Sequence, residues 1–191
     1  MLERLKFYLS LNRIGPDMIL THWILYFKAL THLIYKGQFY YFDDTADIRP
    51  GSYFLNINTI SVGKNVVIRP LSYIAGDPTE RSGGKPSIII EDNTLLADGL
   101  RIYPSDHKFA NTEKPIVAQG ETNTKTVIIK SGSWIGGNVI ILPGVIVGKN
   151  SVVGAGSVVT RSLPDFVVAV GNPARVIKNL KAKGRRHGKG N

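Results

Sequence analysis

Four histidines and no cysteines bound the chemistry open to this chain. Without cysteine there is no disulfide, no thiolate metal ligand and no cysteine nucleophile, which fits a reducing compartment. The side chain left for moving protons near neutral pH is imidazole, with an ordinary pKa of about 6.5. His22 and His32 fall in an aromatic-rich front segment and His187 in a basic tail, so His107 is the one histidine on the body of the chain. Other nucleotide and hydrolase signatures are missing: there is no P-loop and no G-x-S-x-G elbow, and "GAGSVV" lacks the third glycine of a dinucleotide fingerprint.

What holds His107 is legible as a repeat. Ile129, Ile135, Ile141, Val147, Val153 and Val159 recur at every sixth position, and four residues after each come Ser133, Val139, Val145, Ser151, Ser157 and Leu163. The same frame runs through Ile90, Leu96 and Ile102, and through Val62, Ile68 and Ile74. A period of six is neither the 2 of a half-buried strand nor the 3.6 of an amphipathic helix. It predicts a short strand and a turn, with the aliphatic residue inward, a small or branched residue four later, and glycine easing the corner. Three sides close a triangular coil, and coils stack at about 4.8 Å. Twelve in-frame hexapeptides predict about four coils, roughly 20 Å tall at that spacing. The frame slips across "GDPTERSGGKPS" (76–87) and "HKFANTEKPIVAQGETNTK" (107–125), which read as inserted loops. His107 thus closes a coil and opens the second loop.

The flanks are different in kind. Ten of the seventeen aromatic residues precede Asp43. From Pro16, the residues Ile19, Trp23, Phe27, Leu30 and Ile34 recur at helical steps opposite Thr21, Lys28, His32 and Lys36, which predicts an amphipathic helix. Its apolar run is too short and too interrupted to span a membrane. Of the net charge of +10, seven Lys/Arg lie from Arg175 onward with no acid among them. A nucleic-acid grip belongs on the folded body, so no nucleic-acid partner is expected. A solvated tail, ligand phosphates and an anionic membrane surface are the readings left for it. No secretory leader stands out, which points to the cytoplasm, with peripheral attachment to the inner membrane as a variant. The expected layout is a helical segment over 1–46, a repeat body over 47–170 and an extension over 171–191.

Over roughly Gly51 to Lys178 the chain resembles the hexapeptide-repeat acyltransferases, most closely in "WIGGNVIILPGVIVGKNSVVGAGSVVT" and "GNPARVIK". Within that family it is similar to galactoside and maltose acetyltransferases and to the O-acetyltransferases of bacterial surface polysaccharides. The resemblance implies an all-β fold, a left-handed parallel β-helix with a short C-terminal helix or tail. It also implies acetyl-CoA as co-substrate, no metal, and a homotrimer with active sites between subunits. His107 lies at the offset of the catalytic histidine of galactoside-type enzymes, while "SDH" looks like the polysaccharide-modifying members. The implied reaction is acetyl transfer to a sugar hydroxyl of a surface polysaccharide or its precursor, with His107 as general base, an effect of about 10²–10⁴ in rate.

Further roles follow from the same resemblance. Gly137 and Ala155 match positions whose backbone N–H groups line the acyl groove, and Arg161, Arg175 and Lys178 match positions that hold coenzyme A phosphates. Trp134, in place of a small corner residue, walls the acetyl or acceptor pocket or packs at a subunit seam. Arg69 stands where galactoside-type enzymes carry a substrate-binding asparagine, and it is expected with Asp106 on the acceptor side. Asp98 and Glu121 are the candidates to orient the His107 ring. Competing readings are N-acetylation of an amino sugar and a γ-carbonic-anhydrase-like zinc protein, which needs three histidines.

Overall fold

The structure, a computed structural model of the 191-residue chain, describes residues 28–49 and 51–180. Two compact units divide the chain, residues 1–37 and 38–191. In the first, the described part is helical and belongs to the helix Lys28–Gln38, with Lys36 in its last turn where a cation suits the helix dipole. The rest of the expected amphipathic helix, from Pro16 through Phe27, lies outside the described residues, as does the tail 181–191.

The second unit is a three-sided coil of short strands. Its first face carries Tyr41–Phe42, Ile60–Val62, Ile88–Ile90, Val127–Ile129 and Ile146–Val147. The second face carries Asp47–Ile48, Val67–Ile68, Leu95–Leu96, Trp134–Ile135, Val152–Val153, Val167–Gly171 and Ala174–Asn179. The third carries Tyr53–Leu55, Tyr73–Ala75, Arg101–Ile102, Ile140–Ile141 and Val158–Val159. On each face the strands stack in chain order and pair in parallel, apart from the antiparallel last strand of the second face. Ile129 is in register with Val147, Ile135 with Val153 and Ile141 with Val159, each eighteen residues on.

The six-residue frame is the inward column. Ile68, Leu96, Ile135, Val153 and Ala169 stack on the second face, all fully buried, and Ile74, Ile102, Ile141 and Val159 do so on the third. Each isoleucine, leucine or valine among them is worth about 1.5–3 kcal/mol of burial. The small residues four places on fill the corners, and their hydroxyls are satisfied there: Ser133 Oγ donates to the carbonyls of Lys130 (2.7 Å) and Gly148 (2.8 Å). Among the described residues no buried side-chain polar atom lacks a partner.

The corners turn through left-handed residues, and neighbouring coils share the work. Gly132 (φ 72°) lies against Asn150 (φ 51°), whose side-chain oxygen occupies the space where a Cβ on Gly132 would stand. Asparagine tolerates this conformation and glycine leaves room for the amide.

The number of coils and both ends of the repeat differ from the sequence reading. There are five full coils rather than four, because Phe42, Ile48 and Phe54 form an earlier inward set, in register with Val62, Ile68 and Ile74. The repeat therefore begins at Tyr41, before the expected boundary at 46–47. Phe39 packs on both Phe42 and Phe54, with ring centroids 5.3 and 5.5 Å apart, which closes that end with aromatic bulk. At the other end the chain does not leave the repeat at 170 for a helix. Val167–Gly171 and Ala174–Asn179 form an antiparallel hairpin that extends the second face. Val167 and Ala169 are buried against the last coil, so this part of the extension is held as strand.

Candidate active site

Both inserted loops leave from the third corner, between the third face and the next strand of the first. The first loop starts at Gly76, where a Cβ would meet Thr59 Oγ1 at 2.6 Å and the Asn56 carbonyl oxygen at 2.7 Å. That close approach drops Asp77 into the interior, where it is buried. One short helical turn, Thr79–Ser82, then places Arg81 four residues on from Asp77, with Nη2 2.5 Å from Asp77 Oδ1.

The second loop is pinned at its base as a narrow antiparallel ribbon. Lys125 N–H donates to the Pro104 carbonyl (2.7 Å), Thr122 N–H to Asp106 (2.7 Å) and Lys108 N–H to Gly120 (2.9 Å), with His107 bridged to Glu121 between them. Asp106 adds a further brace, its Oδ1 accepting the His107 N–H at 2.8 Å and its own N–H donating to Thr122 Oγ1 at 3.0 Å. His107 is exposed, on a backbone fixed from both sides.

The two loops are tied together beneath the histidine. Arg81 is ion-paired with Glu121 as well as with Asp77. Asp77 Oδ1 also accepts from Ser105 Oγ (2.9 Å), and its Oδ2 accepts from Thr124 Oγ1. One buried carboxylate is thus satisfied by three side chains from both loops, the arrangement that keeps a buried charge tolerable.

Two clefts meet at His107. The larger, of about 610 Å³, is lined by Tyr73, Asp77, Arg81, Tyr103, Asp106 and Glu121 beside it, a size that suits a small organic ligand. The other, of about 480 Å³, lies within the second loop between His107, Phe109 and Gln119.

The remaining expected site residues are elsewhere on this chain. Gly137 and Ala155 occupy the second corner, between the second and third faces, on adjacent coils. Their N–H groups donate to no described residue, Ala155 is exposed and Gly137 is half-buried. Arg69 shares that corner, ion-paired with Asp98 at 3.5 Å. Arg175 stands at its upper end, past the hairpin turn that Gly171 N–H anchors to Ser157 Oγ (3.0 Å). Trp134 is exposed on the outer side of the second face between Leu95 and Val152. Lys178 lies further along the terminal strand, opposite Val168. Arg161 is exposed at the third corner, past Val159.

Within one chain the expected site residues fall at separate corners. Neither Asp98 nor Glu121 bonds the His107 ring in this chain, because Asp98 turns the second corner with Arg69 and the carboxylate of Glu121 is taken by Arg81. Arg69 and Asp106 do not share a cleft, since the third face separates their corners. Missed altogether were Asp77 and Arg81, for which the acid–base spacing of four within "GDPTER" is a readable signal, and the cleft tyrosines.

The hexapeptide geometry has a counterpart in a family model, bacterial transferase hexapeptide (six repeats), which matches residues 126–161. A solved hexapeptide-repeat containing acetyltransferase from Vibrio cholerae is 26% identical with a TM-score of 0.71, covering 94% of this chain and 90% of its own. A maltose O-acetyltransferase from Clostridium difficile is 26% identical (TM-score 0.66, 94% of this chain and 84% of that one). A galactoside acetyltransferase in complex with coenzyme A is 28% identical (TM-score 0.66, 94% and 80%). In its repeat and its fold the chain is similar to the hexapeptide-repeat acetyltransferases. Among curated protein sequences there is no match. The coil is accordingly the left-handed parallel β-helix. Among its described residues no group of three His, Cys, Asp or Glu is placed to hold a metal, and no helix is long and apolar enough to cross a membrane.

Proposed function

We propose that this acyltransferase moves the acetyl group of acetyl-CoA onto a sugar hydroxyl of a bacterial surface polysaccharide or its precursor, with His107 as general base. The observation that carries the reading is the exposed imidazole of His107, on a doubly braced backbone between two clefts. In the reaction the ring accepts the hydroxyl proton as the acceptor oxygen attacks the thioester carbonyl. The tetrahedral intermediate collapses with loss of the coenzyme A thiolate, which takes the proton from the imidazolium, leaving ester and thiol. Charge on the intermediate's oxygen calls for an N–H donor, worth about 2.7–4 kcal/mol, and Gly137 and Ala155 supply free ones.

Those donors lie at the second corner and His107 at the third, so one chain does not present both to the same ligand. A neighbouring copy that sets its second corner against the His107 cleft completes the site. This supports a homotrimer with active sites between subunits, with Arg175 on the coenzyme A side of the seam.

Thiol release from acetyl-CoA, followed over a panel of sugars and paired with mass analysis of the product, tests the reading. Ester formation on a hydroxyl sugar is the expected result. Acetylation confined to amino sugars would move the protein to N-acetyl transfer, and no thiol release with any sugar would reject it.

A further inference from the structure

The third face carries an aromatic row that the transfer chemistry does not use. Tyr53 and Tyr73, in register on adjacent coils, have ring centroids 5.6 Å apart and planes 14° from parallel. Tyr103 continues the row, 6.0 Å from Tyr73 and tilted by 43°. Because Tyr103 is in line with Ala75 rather than Tyr73, the row slants across the face toward the third corner. It enters the larger cleft there, which Tyr73 and Tyr103 both line. Tyr53, at the far end, is 57% exposed.

The three tyrosines lie on the outer side of the third face, each next to an inward residue (Phe54, Ile74 and Ile102), and Tyr53 and Tyr73 cover one another's faces. A row of hydroxyls that both donate and accept, one per rung of about 4.8 Å, matches a chain of sugars better than a single ring. Arg101 stands in the same row, in register with Tyr73 on one side and Ile140 on the other. It is exposed and its guanidinium is in no ion pair with a described residue. A planar, permanently charged fork beside hydroxyls selects a carboxylate or phosphate.

We propose that the third face binds an acidic oligosaccharide, which runs along Tyr53, Tyr73 and Tyr103 into the His107 cleft while Arg101 takes an anionic group on the chain. The inference rests on the acetyl-transfer reading for the role of the cleft, and it narrows the acceptor from any sugar to a polymeric, negatively charged one. Continuity with the cleft, and a charge with no ion-pair partner among the described residues, favour a glycan over a second copy of the chain as the occupant.

The test is binding without turnover. The His107→Ala protein, without acetyl-CoA, is applied to an array of bacterial glycans from monosaccharides to hexasaccharides, in neutral, uronic-acid and phosphodiester-bearing sets. Retention on longer acidic chains and not on monosaccharides is expected, and the two acidic sets identify the anion. Adding Tyr53→Ala or Arg101→Ala should each weaken that retention about tenfold, a loss of roughly 1.4 kcal/mol. Equal retention of single sugars or neutral chains, no retention of any glycan, or no effect of either substitution overturns the proposal. So does a change of oligomeric mass in Tyr53→Ala, which would assign the face to a contact between copies. Because binding is read apart from catalysis, a protein that holds acidic chains but transfers no acetyl group sinks the enzymatic reading and leaves this one standing.

Discussion

Arg81, on one inserted loop, is ion-paired with Glu121, on the other, and Glu121 is the backbone bridge partner of His107. The first loop therefore holds the second at the residue that faces the histidine. Replacing Arg81 with Met should cost stability, because the buried Asp77 keeps only Ser105 and Thr124 as side-chain donors. A buried acceptor of this kind costs about 1–3 kcal/mol when it loses a partner. Urea unfolding gives that cost, and acetyl transfer should fall with it. An unchanged midpoint and turnover would show that the loops hold position without the pair.

His107→Ala should lower turnover by about 10²–10⁴ while the unfolding transition stays in place. The side chain is exposed, so no packing is lost. Thiol release read beside thermal unfolding separates the two effects. Wild-type turnover in this variant would dismiss His107 as the base.

A site shared between subunits has a mixing signature. His107→Ala is defective at the third corner, and Ala155→Trp should be defective at the second, where it would fill the donor column. Unfolding the two together and refolding them should create sites with one intact half from each parent, and with them activity that neither variant has alone. Sedimentation should give three times the 21.0 kDa chain mass. Activity in a monomer would argue that the corners need no neighbour.

Gly136→Ala probes the winding itself. A Cβ there would meet the backbone N of Ala155 at 2.5 Å and its Cα at 2.9 Å, atoms with no flexible end to yield. Overpacking of this kind costs about 1–3 kcal/mol, and the shift it forces falls on the Ala155 donor. Reduced unfolding free energy together with weaker coenzyme A binding is expected.

Acid should weaken the first corner. The Thr45 hydroxyl (2.6 Å) and N–H (2.9 Å) donate to Asp43 and hold its carboxyl below the usual range. A depressed pKa contributes stability above the unfolded value, about 3.9, and loses it as pH falls through the folded value. Asp43→Asn should therefore differ from the parent in unfolding midpoint at neutral pH, with the difference shrinking below about pH 4 and vanishing only under the depressed folded value.

The hexapeptide frame was open to sequence reading because one interior side chain per strand leaves a periodic trace, and every column from Val62 to Val159 is buried as that period requires. The first coil escaped for a physical reason. Its inward residues are Phe42, Ile48 and Phe54 rather than an aliphatic series, and a 3₁₀ turn at Ile57–Thr59 lengthens the step to Val62. His107 could be singled out since it is the one histidine of the body. Its support could not, because Asp77, Arg81, Glu121 and Thr124 meet only after two loops, far apart in the chain, are brought to one corner. The scatter of Arg69, Arg161 and Lys178 shows the converse limit: matching a pattern position says which coil a residue is on, not which edge of a single chain it shares with the histidine.

Both insertions depart from the same edge of the spool and return to it in register, so their lengths are decoupled from the winding. Ile90 still sits over Val62, and Ile129 over Ile90, however much chain is spent between them. Loop length can therefore change at that edge while the shaft, and the edge that carries Gly137 and Ala155, stay as they are.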